Sequence, residues 1–219
     1  MDVHGFTVGP VAENCFFATR DGGTRAIVVD PGDEGERLIA ALDELGLGVE
    51  AILLTHTHFD HVGAVAPLAR HTGAPVYCPE LERQVLADIM SYVPWPGFGP
   101  FESYDADVLV AGGERLELAG LEIDVLFTPG HSPGHVTYSI PSEQAVFSGD
   151  VLFQGSIGRT DLPGGDTATL MRTLGELVAA LPDATTVYPG HMGVTTIGRE
   201  RATNPFLRAG QTGDQVLDG

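Results

Sequence analysis

The sequence contains no lysine, and all 11 of its basic residues are arginines. The absence of lysine excludes Schiff-base catalysis and lysine-dependent phosphate binding, so a bound anion must be held by arginine, a metal ion or backbone N–H groups. The 30 acidic residues bring the formal net charge to −19. A field of that sign repels phosphate backbones and anionic lipid surfaces, so we expect neither nucleic acid nor a membrane as a partner.

Cysteine and long apolar segments are also scarce. Cys15 and Cys78 are the only two cysteines, and we expect both to be buried thiols rather than a disulfide. No stretch approaches the roughly 18 apolar residues that indicate a membrane-spanning helix. The first residues lack the basic segment and apolar run of a signal peptide. These absences predict a cytoplasmic protein.

The remaining composition is typical of a loop-rich α/β protein, with 43% apolar residues, 29 glycines and 15 prolines in a chain of 219 residues. Residues 25–30 predict a buried strand. Asp33 and Glu36 have the spacing of a capping box for a following helix, which Gly46 would end. A second apolar strand covers residues 51–54.

The second half of the chain has a different pattern. Short alternating runs between residues 107 and 148 predict antiparallel strands. Leucines at helical spacing over residues 170–181 predict a helix with Asp166 or Thr167 as its N-cap. A strand over residues 185–188 follows. Periodicity alone therefore predicts an α/β fold with mixed sheets.

The strand over residues 51–54 runs into a segment with four potential metal ligands within six residues, His56, His58, Asp60 and His61. Imidazole nitrogen and carboxylate oxygen are ligands that zinc prefers. Alternate residues of an extended segment point the same way, which places His56 beside His58, so the segment is able to serve two metals. The alternative is a polar loop with solvated histidines, in which Asp60 is only the N-cap of the next helix.

Three further apolar strands end at a potential ligand, namely His131, Asp150 and His191. The motifs Thr-His-x-His-x-Asp-His, Thr-Pro-Gly-His-Ser-Pro-Gly-His, Gly-Asp and Pro-Gly-His occur in this order. The order resembles the metallo-β-lactamase superfamily over nearly the whole chain. Within that superfamily, Gly-Arg-Thr-Asp at residues 158–161 and Glu-Arg-Ala-Thr-Asn-Pro at residues 200–205 are similar to small bacterial glyoxalase II-like hydrolases, the hydroxyacylglutathione hydrolase type.

The resemblance implies an αββα four-layer sandwich, in which two mixed sheets pack face to face with helices outside. We expect one such domain over residues 1–219, without the helical C-terminal domain that helps larger family members to hold glutathione. The resemblance also implies two divalent metal ions. Zinc is the expected metal, with iron or manganese as alternatives because nitrogen and oxygen ligands accept several metals.

The resemblance further implies the role of each candidate ligand, and it makes Asp60 and Asp150 the predicted catalytic residues. Two neighbouring cations need a shared anionic ligand to offset their repulsion. The implied ligands are His56, His58 and His131 for the first metal, Asp60, His61 and His191 for the second, and Asp150 as the bridge between them.

Other side chains near these motifs are candidates for supporting roles. His135 is expected to orient a ligand or touch substrate rather than to bind metal, and Asp30 to buttress a ligating histidine. Arg159 either pairs with Asp161 or meets a substrate carboxylate. The aromatic loop over residues 91–104 either covers part of a substrate or seals the edge of the core.

The resemblance implies a thioesterase that cleaves S-acyl thiols such as S-lactoylglutathione by means of a metal-bridging hydroxide. A thioester suits such a site, because its thiolate departs without a strong general acid. Its only expected partner is a small-molecule thioester, and we expect a monomer or small homo-oligomer. The absence of lysine leaves the identity of the thiol open.

Three other functions remain as alternatives. An iron-dependent persulfide dioxygenase of this fold would hold one iron with His56, His131 and Asp150, although His135 stands where that group tends to have a cysteine. A β-lactamase or lactonase is the second alternative. The third is a non-catalytic metal-binding module on the same scaffold.

Overall fold

The computed structural model describes residues 1–212. A first mixed sheet has the strand order β1-β2-β3-β4-β5-β6. Strands β1 to β3 are antiparallel neighbours, and β3 to β6 are parallel. The strands are β1 (Asp2–Val8), β2 (Glu13–Thr19), β3 (Arg25–Val29), β4 (Gly48–Leu53), β5 (Val76–Pro79) and β6 (Val108–Val110).

A second mixed sheet has the strand order β14-β13-β10-β9-β8-β7. Its one parallel pair is β10 with β13, and its other neighbours are antiparallel. The strands are β7 (Arg115–Leu118), β8 (Leu121–Phe127), β9 (Val136–Ile140), β10 (Ala145–Gly149), β13 (Thr186–Pro189) and β14 (Thr195–Thr196). Between β10 and β13, β11 (Leu152–Phe153) and β12 (Ser156–Ile157) form a separate hairpin.

Eight α-helices lie within the described residues, together with two 3₁₀ turns at Glu80–Glu82 and Pro141–Glu143. None of these helices is long and apolar enough to cross a membrane. The helices are α1 (Gly35–Leu45), α2 (Phe59–Val62), α3 (Val65–Thr72), α4 (Arg83–Ala87), α5 (Ile89–Tyr92), α6 (Thr167–Ala180), α7 (Ile197–Thr203) and α8 (Pro205–Thr212).

Buried side chains form three layers of core between four layers of structure. Successive residues of β3 point to opposite faces, so that Ile27 packs against the second sheet and Val28 packs against α1 and α3. Helix α6 packs against the outer face of the second sheet through its own Leu170 and Leu174. Each such side chain contributes about 1.5–3 kcal/mol by leaving water. The predicted αββα sandwich is therefore confirmed.

The local predictions have mixed outcomes. Gly46 ends α1 in a left-handed conformation (φ 64°), and Asp166 caps α6 by accepting the Thr169 N–H at 2.7 Å, as predicted. The capping box of α1 is wrong, because Glu34 is the N-cap and makes no side-chain capping bond, while Asp33 accepts the Glu34 N–H.

The structure also bears on the cysteines and on the elements at both ends of the chain. Cys15 and Cys78 are buried free thiols, as expected. Strands β1 and β2 and helices α7 and α8 were not predicted. The expectation of one domain over residues 1–219 includes residues 213–219, which lie outside the described part of the chain, and it stays a prediction.

Candidate metal centre

Seven predicted ligands meet at one edge of the sandwich, where strands from both sheets end. The segment after β4 carries four of them, and one each comes from the loop between β8 and β9, the end of β10 and the end of β13. Both sheets therefore supply donors. The seven are His56, His58, Asp60, His61, His131, Asp150 and His191, and their atoms form groups with the spacing of metal ligands.

Three histidines form the first group. His131 Nε2 lies 3.2 Å from His56 Nε2 and 2.8 Å from His58 Nδ1. Zinc–nitrogen bonds of 2.0–2.1 Å in a tetrahedral site place neighbouring nitrogens about 3.3 Å apart. The three nitrogens are therefore spaced as ligands of one cation.

Asp60, His61 and His191 form the second group. His191 Nε2 lies 3.3 Å from Asp60 Oδ2, and His61 Nε2 lies 3.9 Å from the same oxygen. Asp150 stands between the two groups, with Oδ2 3.4 Å from His131 Nε2 and Oδ1 3.4 Å from His61 Nε2. Its carboxylate is thus placed to contact ions on both sides.

Hydrogen bonds at the outer nitrogens fix which nitrogens are available. We assign a proton to His131 Nδ1, because it faces the carbonyl oxygen of Arg159 at 2.7 Å, which leaves Nε2 unprotonated. His61 Nδ1 donates to Asp30 Oδ2 at 3.1 Å. His61 Nε2 and Asp150 Oδ1 are buried and have no hydrogen-bond partner. Such orphaned atoms are costly unless a cation or proton meets them.

Hydrogen bonds also orient the ring of His56. Thr55 Oγ1 donates to Asp30 Oδ2 at 2.6 Å, so it accepts from His56 Nδ1 at 3.0 Å and leaves Nε2 as a lone pair. Asp30 Oδ1 also accepts the Thr55 backbone N–H at 2.7 Å. Asp30 therefore contacts His61 directly and His56 through Thr55, and its role in supporting metal ligands stays a prediction.

Burial and charge set the protonation of the donors. Burial lowers the pKa of His58 to about 4, with a further contribution from His131, and burial lowers the pKa of His56 well below its usual value. Burial opposes ionisation of Asp150, but His61 and His131 outweigh it and hold that pKa below its ordinary range. Neutral imidazole and ionised carboxylate are the forms that bind cations.

His61 and His191 differ from the other histidines of the centre. Burial opposes a proton on either ring, but the nearby carboxylates of Asp60 and Asp150 outweigh burial and raise the pKa of both. A cation bound by these two rings therefore takes the place of a proton.

His135 has a different environment from the candidate ligands. Its Nε2 accepts the backbone N–H of Asp150 at 3.0 Å, so its Nδ1 carries the proton shared with Thr128 Oγ1 at 3.0 Å. Both ring nitrogens are engaged, and His135 orients Asp150 instead of facing the centre. The contact requires Gly149, because a Cβ there would lie 2.6 Å from His135 Nε2 and the backbone has φ 47°.

Asp60 is also not a simple helix cap. Helix α2 begins at Phe59 and is preceded by His58, which makes no side-chain capping bond. The Asp60 carboxylate instead faces His191. The alternative of Asp60 as an N-cap is therefore wrong.

Three buried or partly buried polar residues support the centre but belong to none of the motifs. Glu13 is fully buried with Oε1 3.7 Å from His61 Nδ1, and burial raises its pKa well above the usual value. Asn14 donates from Nδ2 to the carbonyl oxygens of Pro189 and Met192, at 3.1 and 2.9 Å, on either side of His191.

Glu82 is the third of these supporting residues. It accepts from Thr57 Oγ1 at 2.9 Å and from the Gly134 N–H at 2.8 Å, and so ties together the loops that carry His58 and His131. Each supporting residue is isolated in sequence. Among the three, only Glu13 stands out in the sequence, because it is a charged residue at the start of an otherwise apolar strand, β2.

The Gly-Arg-Thr-Asp motif over residues 158–161 has two structural roles. Its Arg159 carbonyl orients His131, and the Arg159 side chain forms two hydrogen bonds of 2.7 Å to Asp161. The pairing alternative for Arg159 is therefore the one observed. Gly158 permits the close approach of this loop, because a Cβ there would lie 1.9 Å from the Asp150 carbonyl oxygen.

The second motif of the resemblance, residues 200–205, supports the hairpin of β11 and β12. Glu200 is fully buried and accepts from the Gly155 N–H at 2.8 Å and from Thr195 Oγ1 at 2.6 Å. Asn204 donates to the Ser156 carbonyl oxygen at 3.0 Å. This motif stabilises the end of the fold and contributes no side chain to the metal centre.

The aromatic loop over residues 91–104 fits both of its proposed roles. Tyr92 and Trp95 line a cavity above the centre. Phe98, Phe101 and Tyr104 pack against the core on the outer face of the first sheet. One part of the loop therefore faces the cavity and the other part seals the core.

Comparisons with known proteins agree with this geometry. The family model of the metallo-beta-lactamase superfamily matches residues 8–191. A probable metallo-hydrolase of Bacillus subtilis, YqgX, is 40% identical over 205 residues, which are 91% of this chain and 94% of that protein. Hydroxyacylglutathione hydrolase GloC of Haemophilus influenzae is 36% identical over 211 residues, 95% of this chain and 99% of that protein.

Solved structures of similar sequence share the fold. BLEG-1 B3 metallo-beta-lactamase superposes with a TM-score of 0.89 at 40% identity, covering 94% of this chain and 99% of the other. TTHA1623 in a di-iron-bound form gives 0.83 at 43% identity, with 93% and 100% coverage. ETHE1 from Myxococcus xanthus gives 0.75 at 25% identity, with 99% and 93% coverage.

Proposed function

Since the chain belongs to the metallo-β-lactamase superfamily, we propose that it hydrolyses thioesters at a two-metal centre. Membership of this metallo-hydrolase superfamily supports an enzyme. The observation that carries the two-metal assignment is the pair of donor groups with Asp150 between them. The ligands are His56, His58 and His131 on one side, Asp60, His61 and His191 on the other, and Asp150 as the bridge.

The donor set fits two divalent cations. Orphaned His61 Nε2 and Asp150 Oδ1 face the space between the groups, and nitrogen and oxygen donors suit zinc as well as iron or manganese. When bound, two such cations supply a nucleophile derived from water at neutral pH and polarise the carbonyl oxygen of the substrate. Zinc is the proposed metal, and the di-iron form of TTHA1623 makes iron the first alternative to test.

Hydrogen bonds from neighbouring residues fix the orientation of the candidate ligands. Asp30 and the Arg159 carbonyl keep the rings of His61 and His131 in orientation, and His135 fixes the backbone of Asp150. Orienting partners of this kind commonly change metal affinity or activity 10–100-fold when they are removed.

A thioester is the proposed substrate for two reasons. A thiolate leaves without a strong general acid, and the sequence has no lysine to act as one. The relative GloC is a hydroxyacylglutathione hydrolase, which supports S-lactoylglutathione as the first compound to assay. The small-molecule thioester is the only partner we propose.

The test is a panel of thioesters, lactams and lactones assayed on protein whose bound metals have been quantified. We expect two metal ions per chain and turnover of thioesters above the other classes. Asp150→Ala should lower both the metal content and the turnover, because the bridge is lost. Glu117→Ala removes an exposed carboxylate from β7 and should change neither.

A second candidate is the iron-dependent persulfide dioxygenase, because the three side chains that would hold its single iron, His56, His131 and Asp150, also lie close together. That activity predicts one iron per chain and oxygen consumption with a persulfide, and no thioester hydrolysis. This pattern in the same protein sample would overturn the proposal.

A further inference from the structure

A cavity of about 810 Å³ opens above the candidate metal centre. Small-molecule sites usually measure about 300–1,000 Å³, so this cavity has room for a thioester with a large acyl group or a large thiol. A lactoyl group would leave most of the walls in contact with water. The floor of the cavity is formed by His58, Asp60, His131, Asp150 and His191.

The first wall is aromatic and apolar. It contains Ile89, Tyr92 and Trp95, and Trp95 is 38% exposed. Phe59, which lines the cavity beside Asp60, holds this wall in place, with its ring centroid 6.1 Å from that of Trp95 in an edge-on arrangement. An apolar surface is thus held directly beside the candidate metal centre, and within the described residues Trp95 stays partly exposed.

The second wall comes from β12 and the loop that follows it. Ile157, Leu162 and Pro163 line it. Arg159 reaches across, with its guanidinium carbon 5.4 Å from the centroid of Trp95. Arg159 and Trp95 therefore bring the two walls close to one another.

Apart from the proposed metal ions, the charged side chains of the cavity do not favour an anionic substrate. Arg159 is the only arginine that lines the described cavity, and Asp161 already holds its guanidinium with two hydrogen bonds of 2.7 Å. Glu82 adds a carboxylate to the lining. The chain as a whole carries a net charge of −19, and a field of that sign slows the approach of anions.

We propose that the physiological substrate is an uncharged thioester with a large aryl or aliphatic group, which fills this cavity. The inference rests on the proposed function and names its substrate class. In the reaction the acyl C–S bond breaks and a C–O bond forms to the oxygen of water. One proton of that water goes to the thiolate, so that a carboxylic acid and a neutral thiol are released.

The experiment has two arms that distinguish an apolar acyl group from an apolar thiol. In the first arm the acyl group grows from acetyl to hexanoyl on N-acetylcysteamine. In the second arm acetyl thioesters of benzyl mercaptan, N-acetylcysteamine and glutathione are compared. Each fully buried methylene is worth about fourfold in binding, so we expect kcat/KM to rise at least tenfold in one arm, with the glutathione ester the poorest.

A binding measurement that requires no turnover accompanies the assays. The chain has one tryptophan, so the fluorescence of Trp95 reports on this cavity alone. The metal-loaded protein is titrated with 2-octanone and 2-butanone, in which a methylene replaces the thioester sulfur and which therefore cannot be hydrolysed. We expect at least tenfold tighter binding of 2-octanone.

Two matched variants test whether the preference for a long acyl group comes from the apolar wall of the cavity. Leu162→Ala removes apolar area from a partly exposed loop position and should lower the hexanoyl-to-acetyl ratio of kcat/KM at least threefold. Leu109→Ala removes an exposed leucine from β6, which does not line the cavity, and should leave the ratio unchanged. Thermal melting of both variants checks that the fold is intact.

Two outcomes separate this inference from the proposed function. Hydrolysis of thioesters with no gain in either arm, and equal binding of the two ketones, overturns the apolar specificity and leaves the thioesterase assignment in place. Tight binding of 2-octanone without hydrolysis of any thioester overturns the thioesterase assignment and supports an apolar ligand in the cavity.

Discussion

His135 accepts the backbone N–H of Asp150 on its Nε2, with the two nitrogens 3.0 Å apart. The same ring shares its Nδ1 proton with Thr128 Oγ1. A buried histidine is thus fully used in orienting the candidate bridging carboxylate. This contact separates the role of His135 from that of His131, although both lie in one motif of eight residues.

We expect His135→Ala to retain two metal ions per chain at saturating metal while kcat falls at least tenfold. The substitution leaves the buried N–H of Asp150 without an acceptor, which costs about 1–3 kcal/mol of stability. Metal analysis and steady-state kinetics check this, with His71→Ala, at an exposed histidine of α3, as the control. The loss of one metal ion per chain would show that His135 is itself a ligand.

Asp30→Ala should weaken metal binding 10–100-fold, because His61 loses the acceptor that orients its ring and Thr55 loses two hydrogen bonds. Competition with a chromogenic chelator measures the change. Asp43→Ala removes an exposed carboxylate from α1 and should bind metal as the parent protein does. Equal affinity for all three proteins would contradict the role assigned to Asp30.

Asn14→Ala should reduce affinity for one of the two metal ions more than for the other. Asn14 holds the turn that carries His191 through hydrogen bonds to the carbonyls of Pro189 and Met192, and Met192 has a left-handed backbone (φ 68°). Isothermal titration of the metal-free protein resolves the two binding steps.

The control for Asn14 is Thr7→Ala. Thr7 Oγ1 donates to Asn14 Oδ1 at 3.0 Å and leaves the Asn14 Nδ2 group, which binds the turn, unchanged. We expect its two binding steps to match those of the parent protein. A uniform loss of both steps in Asn14→Ala would point to general destabilisation instead of an effect on His191.

Asp161→Asn should increase kcat/KM for a glutathione thioester at least threefold. Asparagine lacks the negative charge and one of the two acceptor oxygens of Asp161, so the guanidinium of Arg159 keeps at most one of its two hydrogen bonds and pairs more readily with a substrate carboxylate. The measurement compares the glutathione ester with an uncharged ester at low ionic strength. An equal change for both esters would show that Arg159 does not meet the substrate.

The sequence is most informative where ligands are concentrated at strand ends. Residues 56–61 and the three later motifs specify the candidate centre, because a strand that is anchored in the core leaves its terminal side chains little freedom. The helices α1 and α6 are predictable from their leucine spacing. Asp166 is likewise predictable as a cap, since its side chain acts on a residue three positions away.

Contacts between distant parts of the chain are much harder to predict. Glu13 and Asn14 lie about 175 residues from the turn that they support, as in the hydrogen bond between Asn14 and Pro189. The polar Glu13 stands out in an apolar stretch, but nothing in that segment indicates which distant turn the two residues contact. The capping box of α1 also failed for this reason, because Glu34 is engaged by Arg37 and by the Gly9 N–H.

The aromatic loop shows a similar limit. Its spacing does not reveal that Trp95 faces the cavity while Phe101 packs on the core, because the loop has no regular period. The position of each ring depends on Phe59, which belongs to a different segment. Only the assembled structure divides the loop into its two parts.

Both donor groups take side chains from segments that follow strands of the two opposing sheets. A cation held by either group would therefore link the two sheets at that edge of the fold. The melting temperature should then rise with the free metal concentration. At 100 times the dissociation constant, metal binding adds about 2.7 kcal/mol to the free energy of unfolding. A chelator would act on this protein as a mild denaturant that opens the sandwich from one side.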